Sequence, residues 1–203
     1  MPLHIFEPRY RRMLADTLAN DRRFGITPVL AEGELPASGS VGCVAEVRVN
    51  QELPDGRSNL VVIGGSRFSV SRLLDEPLPY LVALIEPFDD APDSQPSSEE
   101  ISVLRGLFRR YSAGLSQLND VEPSEEELPE EPVALSFAVA AGTDCDIRIK
   151  QQLLTEQSTL RRCQALIMLL PVLTSTLELG LQVHRQAHGN GKGGRMPNIA
   201  ASQ

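Results

Sequence analysis

The apolar positions change period once along the chain. Over the first ninety residues they tend to alternate with polar ones, and Gly and Pro recur at short intervals, the pattern of short strands and turns. One helix interrupts this stretch. Within Pro8 to Asn20, Tyr10, Met13, Leu14, Thr17 and Leu18 fall at helical spacing, which leaves Arg9, Arg11, Arg12 and Asp16 for water. Gly25 to Ala31 predicts a strand, and Val41, Cys43, Ala45, Val47 and Val49 alternate with Glu46, Arg48 and Asn50 as in a half-buried one. Pro54-Asp55-Gly56 then combines a fixed φ, a side chain that caps its own backbone and a residue free to adopt positive φ. A turn there brings Asn59 to Ile63 back antiparallel. Arg67 to Leu74 and Tyr80 to Glu86 predict two further strands, parted by the prolines of Asp75 to Pro79, and Gly64-Gly65 reads as a bulge or turn. Many short strands with frequent turns favour a small barrel or curled sheet.

Periodicity disappears between Glu86 and Ser98, where Pro, Asp and Ser crowd together as in a connector. Ser97 with Glu100 then fits a capping box. Behind it, Ile101, Leu104, Leu107, Phe108, Tyr111, Leu115 and Leu118 recur every three or four residues, a core-facing helical stripe. The proline-broken acidic segment Glu122 to Glu131 reads as a solvated loop. Helices are expected over Pro132 to Ala141, Asp144 to Leu154 and Ser158 to about Gly180, the last kinked at Pro171 because proline removes a backbone donor. The Gly-rich end, 186–203, reads as a disordered tail. The outcome is an α+β chain in two parts, 1–90 and 98–185.

Composition narrows the function. The 203 residues carry a formal net charge of -8, with aromatics at 4% and Trp absent, so the summed field opposes phosphate backbones and stacking platforms are few. Nucleic acid is an unfavoured partner. The longest apolar stretch, Ala165 to Leu173, falls short of the roughly 20 residues of a bilayer span, and no signal-peptide pattern opens the chain, so no membrane contact and a cytoplasmic location are expected. Cys43, Cys145 and Cys163 are an odd number at long spacings and read as reduced, packed thiols.

No constellation for catalysis emerges. Gly189 to Gly193 lacks the spacing and hydroxyl of a phosphate loop, and Gly64-Gly65 offers neither a dinucleotide fingerprint nor a nucleophile elbow. His184 and His188 are four apart without an evident third metal ligand, and His4 is remote from both. Catalytic, cofactor and metal residues are therefore expected to be none.

The opening Pro2-Leu3-His4-Ile5-Phe6-Glu7-Pro8-Arg9-Tyr10 resembles the signature of the Lon protease N-terminal, or substrate-binding, family. Further matches follow in the family's order. They are Gly39-Ser40-Val41-Gly42, Asp55-Gly56-Arg57, Gly64 to Phe68, Pro79-Tyr80, Leu135-Ser136-Phe137, and Gln151-Gln152-Leu153-Leu154 through Ser158 to Arg162, so that residues 1 to about 180 are covered. The resemblance implies a PUA-like β pseudo-barrel followed by a helical bundle. It also implies a noncatalytic polypeptide-binding module, for substrate recognition or as an adaptor, taking unfolded or degron-bearing polypeptides and working with a separate ATPase or protease. RNA binding is the alternative by analogy with other PUA-like proteins, and the acidic charge opposes it. Family members carry a strand ahead of the P-L-H-I-F segment, whereas this chain starts at Met1-Pro2. That difference implies an open barrel edge, and a start codon assigned downstream of the natural one would account for it. Glu7, Arg9 and Arg67 are expected to anchor the helix to the barrel, and Phe6, Tyr10, Phe68 and Tyr80 to lie in the core.

Overall fold

A computed structural model describes residues 1–28, 35–92, 95–119, 121 and 127–190, the last ten through their backbone. The elements run β1 (Pro2–Ile5), α1 (Pro8–Ala19), β2 (Arg23–Ile26), β3 (Val41–Glu52), β4 (Ser58–Leu74), β5 (Val82–Pro87), α2 (Ser98–Leu118), α3 (Pro132–Gly142), α4 (Ile147–Thr155) and α5 (Thr159–Asn190). They form two compact units. One comprises Met1–Pro92 with Ile147–Gln157, the other Asp93–Asp146 with Ser158–Gln203.

The first unit is an antiparallel sheet in the order β1-β4-β3-β2, with β5 also on β4. The strands expected over Asn59 to Ile63 and Arg67 to Leu74 are one continuous 17-residue β4. It pairs with β1 through its first half, Pro2 opposite Val61, and with β5 through its second, Phe68 opposite Pro87. Three register shifts curl it. One lies where Cys43 faces Arg67 and Ala45 faces Gly64, which puts an extra β4 residue beside Gly64-Gly65 as the sequence predicts; another lies between Val47 and Val49, and a third between Val70 and Arg72. Each extra residue bends the strand and steepens its twist. Gly56 takes positive φ (78°) in the β3–β4 turn.

Against the inner face packs α1, and Ile5, Leu14, Ala45, Val47, Leu60 and Val62 form the core with Leu3, Leu18, Phe24 and Ile26 at its margin. Phe68 lies in a slot made by two glycines on neighbouring strands. A Cβ on Gly42 would stand 2.5 Å from the Ile26 carbonyl oxygen and 2.6 Å from the Phe68 ring, and one on Gly25 would stand 2.9 Å from the same ring. Arg12 and Tyr80 both donate to Asp16, at 2.9 Å each, joining α1 to the segment before β5. These bonds, the Arg12 one foremost, lower the Asp16 pKa below the usual carboxylate range.

The sequence pattern assigns α4 to the helical half, yet it belongs with the sheet. Gln151 Nε2 donates to the Val41 carbonyl at 2.9 Å, Gln157 Nε2 to that of Asp89 at 2.9 Å, and the Ala91 N–H to that of Gln157 at 2.9 Å. The clasp is Arg67. Only 8% exposed, it donates to the Leu154 and Glu156 carbonyls at 2.6 and 3.1 Å, pairs with the Asp90 carboxylate and lies 5.1 Å from the centroid of Phe88.

The second unit is built from α2, α3 and α5. The capping box forms: Ser97 Oγ accepts from the Glu100 N–H at 3.2 Å while the Glu100 carboxylate accepts from the Ser97 N–H at 2.8 Å. Glu131 caps α3 by accepting from the N–H groups of Val133 and Ala134. Leu104, Tyr111, Leu135, Val139, Cys163, Leu166 and Leu170 are buried. So is Arg162, 0% exposed, which lies 3.9 Å from the Phe137 ring centroid and donates to Ser136 Oγ at 2.8 Å. The ring face and the hydroxyl are two of the contacts that receive the buried guanidinium.

Helix α5 continues through Pro171 to Asn190, past the expected end near Gly180 and into the expected tail; 191–203 and 122–126 lie outside the described residues, as do 29–31 at the end of the strand expected over Gly25 to Ala31. Its 22-residue stretch Thr159–Gly180 is long and apolar enough, by length and composition, to cross a membrane. The expectation from Ala165 to Leu173 counted only the uninterrupted apolar run. Within the unit, one side of the same stretch is packed: Cys163, Leu166, Leu170 and Thr174 are buried.

Candidate functional site

The face of the sheet opposite α1 carries exposed apolar side chains. On β4 the side chains alternate, Ser58, Leu60 and Val62 buried and Asn59, Val61 and Ile63 outward. The bulge between Val47 and Val49 adds a residue to β3 and turns Val49 to the same outward side, opposite Val61, where strict alternation would have kept it in the core. Val49, Val61 and Ile63 are consequently 52%, 44% and 50% exposed. Between β1, β4 and β3 lies an open groove of about 390 Å³ lined by Pro2, Leu3, His4, Val49, Gln51, Asn59, Leu60 and Val61.

Its polar groups are few and placed. His4 Nδ1 lies 2.7 Å from Asn59 Oδ1, within hydrogen-bond reach. Phe6 stacks on His4 with centroids 6.0 Å apart and stays 57% exposed, which extends the apolar surface beyond the groove.

The backbone of β1 adds a second feature. Met1 donates to the Val62 carbonyl at 2.8 Å and accepts from the Val62 N–H at 2.9 Å, a doubly bonded antiparallel pair. The alternation of such pairs turns Leu3 and Ile5 toward β4 and leaves the Pro2 carbonyl and both backbone groups of His4 on the outer edge. Among the described residues β1 pairs on one side only. An edge of this kind can accept a further extended segment.

The residues singled out from sequence divide sharply. Phe68 is buried as expected, and Tyr80 is half-buried with its hydroxyl on Asp16. Phe6 and Tyr10, expected in the core, are exposed, because the chain turns from β1 into α1 at Glu7 and presents both rings outward. Arg67 anchors a helix, but it is α4. Glu7 and Arg9 pair with each other at 2.9 Å on the surface, too exposed and too local to anchor α1. Cys43 is half-buried, its thiol against the Val44 and Gly65 carbonyls; Cys145 is half-buried and Cys163 fully buried. The side chains of His184 and His188 lie outside the described residues. Sequence reasoning missed Val49 and Val61, although one signal was present: Leu60-Val61-Val62-Ile63 is apolar at every position, and a strand apolar on both faces has a second surface to cover.

The model of the ATP-dependent protease La (LON) substrate-binding domain matches residues 1–171. The chain belongs to this family. A Lon protease from Cytophaga hutchinsonii is 21% identical over an alignment of 199 residues that covers 93% of this chain and 24% of that protein, so the chain spans about a quarter of the length of that relative. Solved Lon N-terminal domain structures share the fold. The crystal structure of a Lon N-terminal domain protein from Xanthomonas campestris has a TM-score of 0.61 at 19% identity, covering 83% of this chain and 88% of that one. The N-terminal domain of a Mycobacterium avium complex Lon protease gives 0.58 at 18%, with 86% and 90% covered. In this LON substrate-binding domain the α+β fold is thus that of Lon N-terminal domains, a curled antiparallel sheet with five helices. The matched family is the substrate-binding part of a protease.

Proposed function

We propose that this LON substrate-binding domain is a noncatalytic polypeptide-recognition module whose contact surface is the outer face of β1, β4 and β3. One observation carries the reading: Val49, Val61 and Ile63 stand exposed around a groove floored by sheet, beside an edge of β1 that no strand among the described residues pairs with. Apolar side chains of an extended peptide would gain from leaving water there. His4, Asn59 and Gln51 offer hydrogen bonds that fix direction without demanding one sequence. Unfolded or degron-bearing chains meet these terms because they expose both apolar side chains and backbone. The partner reading is a separate ATPase or protease in the cytoplasm that takes over the captured chain. The family match supports substrate binding as the role of this region, and the net charge of -8 weighs against RNA.

The test is binding of fluorescent unfolded polypeptides and a broad peptide panel to the full chain, to Val61→Glu and to Val49→Glu. Both positions face solvent, so the variants should fold. The expected result is micromolar binding to the parent and a loss of about tenfold or more in each variant, since each places a charge against the apolar contact. Equal binding by parent and variants would move the site elsewhere. No binding across the panel, or salt-sensitive RNA binding at micromolar protein instead, would overturn the reading.

A further inference from the structure

Helix α5 carries a second apolar surface, in the other unit and diametrically opposite its packed side. Ala165, Met168, Val172, Ser175 and Leu179 recur at three- and four-residue steps and all face solvent; Met168, Val172 and Leu179 are 77%, 63% and 63% exposed. Arg161, one turn before Ala165, heads the stripe. The contacts made by α2 lie to one side of it, where Glu100 accepts from Gln164 and Arg110 pairs with Glu178.

The stripe reads nearly the same in both directions about residue 170. If two copies of α5 cross antiparallel with a two-fold axis there, residue i of one copy meets residue 340 minus i of the other. Met168 then meets Val172, small Ala165 meets small Ser175, and Arg161 meets Leu179 with Glu178 beside it. Large side chains meet at the centre, small ones allow close approach on either flank, and at each end a cation of one copy falls near an acid of the other. Such self-complementarity is what a two-fold, isologous interface requires. We infer that the exposed face of α5 is a homodimer interface, its occupant a second copy of this chain.

The stripe from Arg161 to Leu179 is about 27 Å long at 1.5 Å per residue, and one helix pair of that length buries less than the roughly 800 Å² per partner of a standard interface. The dimer is accordingly weak, with a dissociation constant in the micromolar range. Two-fold symmetry makes every substitution count twice.

Sedimentation velocity on the full chain from about 1 to 300 µM tests this. The parent should pass from monomer to dimer, and Met168→Glu and Val172→Glu should each raise the dissociation constant at least about 100-fold while leaving the far-ultraviolet circular dichroism spectrum unchanged. Arg161→Glu should weaken the dimer several-fold. A monomer at every concentration, or a dimer indifferent to Met168→Glu and Val172→Glu, would overturn the inference. So would flotation of the parent with phosphatidylcholine vesicles that Met168→Glu abolishes, which would make a bilayer the occupant.

Discussion

Removing the Arg67 guanidinium should detach α4 from the sheet. In Arg67→Ala the Asp90 carboxylate, whose side chain is 12% exposed, keeps its charge and loses this cation, while the Leu154 and Glu156 carbonyls lose a charged donor. Breaking a buried ion pair from one side costs about 3–5 kcal/mol, and bonds from a charged donor are worth about 1.5–3 kcal/mol each. These contributions overlap, because one side chain makes all three contacts. About 4 kcal/mol is expected, a large share of the roughly 5–15 kcal/mol of a typical domain. Removing both charges in Arg67→Met with Asp90→Asn should recover more than half of it, since the carboxylate is no longer left buried without Arg67. Urea unfolding followed by circular dichroism gives the magnitude. Hydrogen exchange gives the place: amides of Ile147–Gln157 should lose protection before those of β3 and β4. A loss below about 1 kcal/mol, or unchanged exchange in that segment, would refute the clasp.

Gly42→Ala should destabilise by about 1–3 kcal/mol in thermal melts, because the new methyl meets the Ile26 carbonyl oxygen, which cannot swing aside as a side chain would. Ser97→Ala removes the hydroxyl half of the capping box and should cost about 1 kcal/mol by urea unfolding, fraying the start of α2 in exchange experiments. Asp16 has its folded-state pKa below the ordinary carboxylate value, so its contribution is present above that ordinary value and is lost as pH falls through the lowered one. Asp16→Asn should therefore flatten the stability profile below about pH 4, read from urea midpoints across pH, and leave its shape near neutrality unchanged.

What the sequence by itself determined were features set by neighbours a few residues apart. The capping box at Ser97 and Glu100, the turn at Gly56, the stripe of α2 from Leu104 to Tyr111 and the change from strand to helix periodicity depend on local geometry, and each is found in the structure. The bulge at Gly64-Gly65 belongs with them, because paired glycines lower the cost of an extra residue. Tertiary structure decided the rest. Alternation placed Val49 in the core, but one added residue on β3 moved it outward and helped make the candidate groove; a bulge is a property of two strands together. Arg67 carries the same letters whichever helix it holds. Its choice of α4 follows from three acceptors at Asp90, Leu154 and Glu156, up to 89 positions away, that converge only when the chain is folded. Helix α5 shows the limit from the other side: its 3.6-residue repeat places apolar residues around the whole helix, and only the packing of α2 and α3 selects which of them are buried and which remain for another surface.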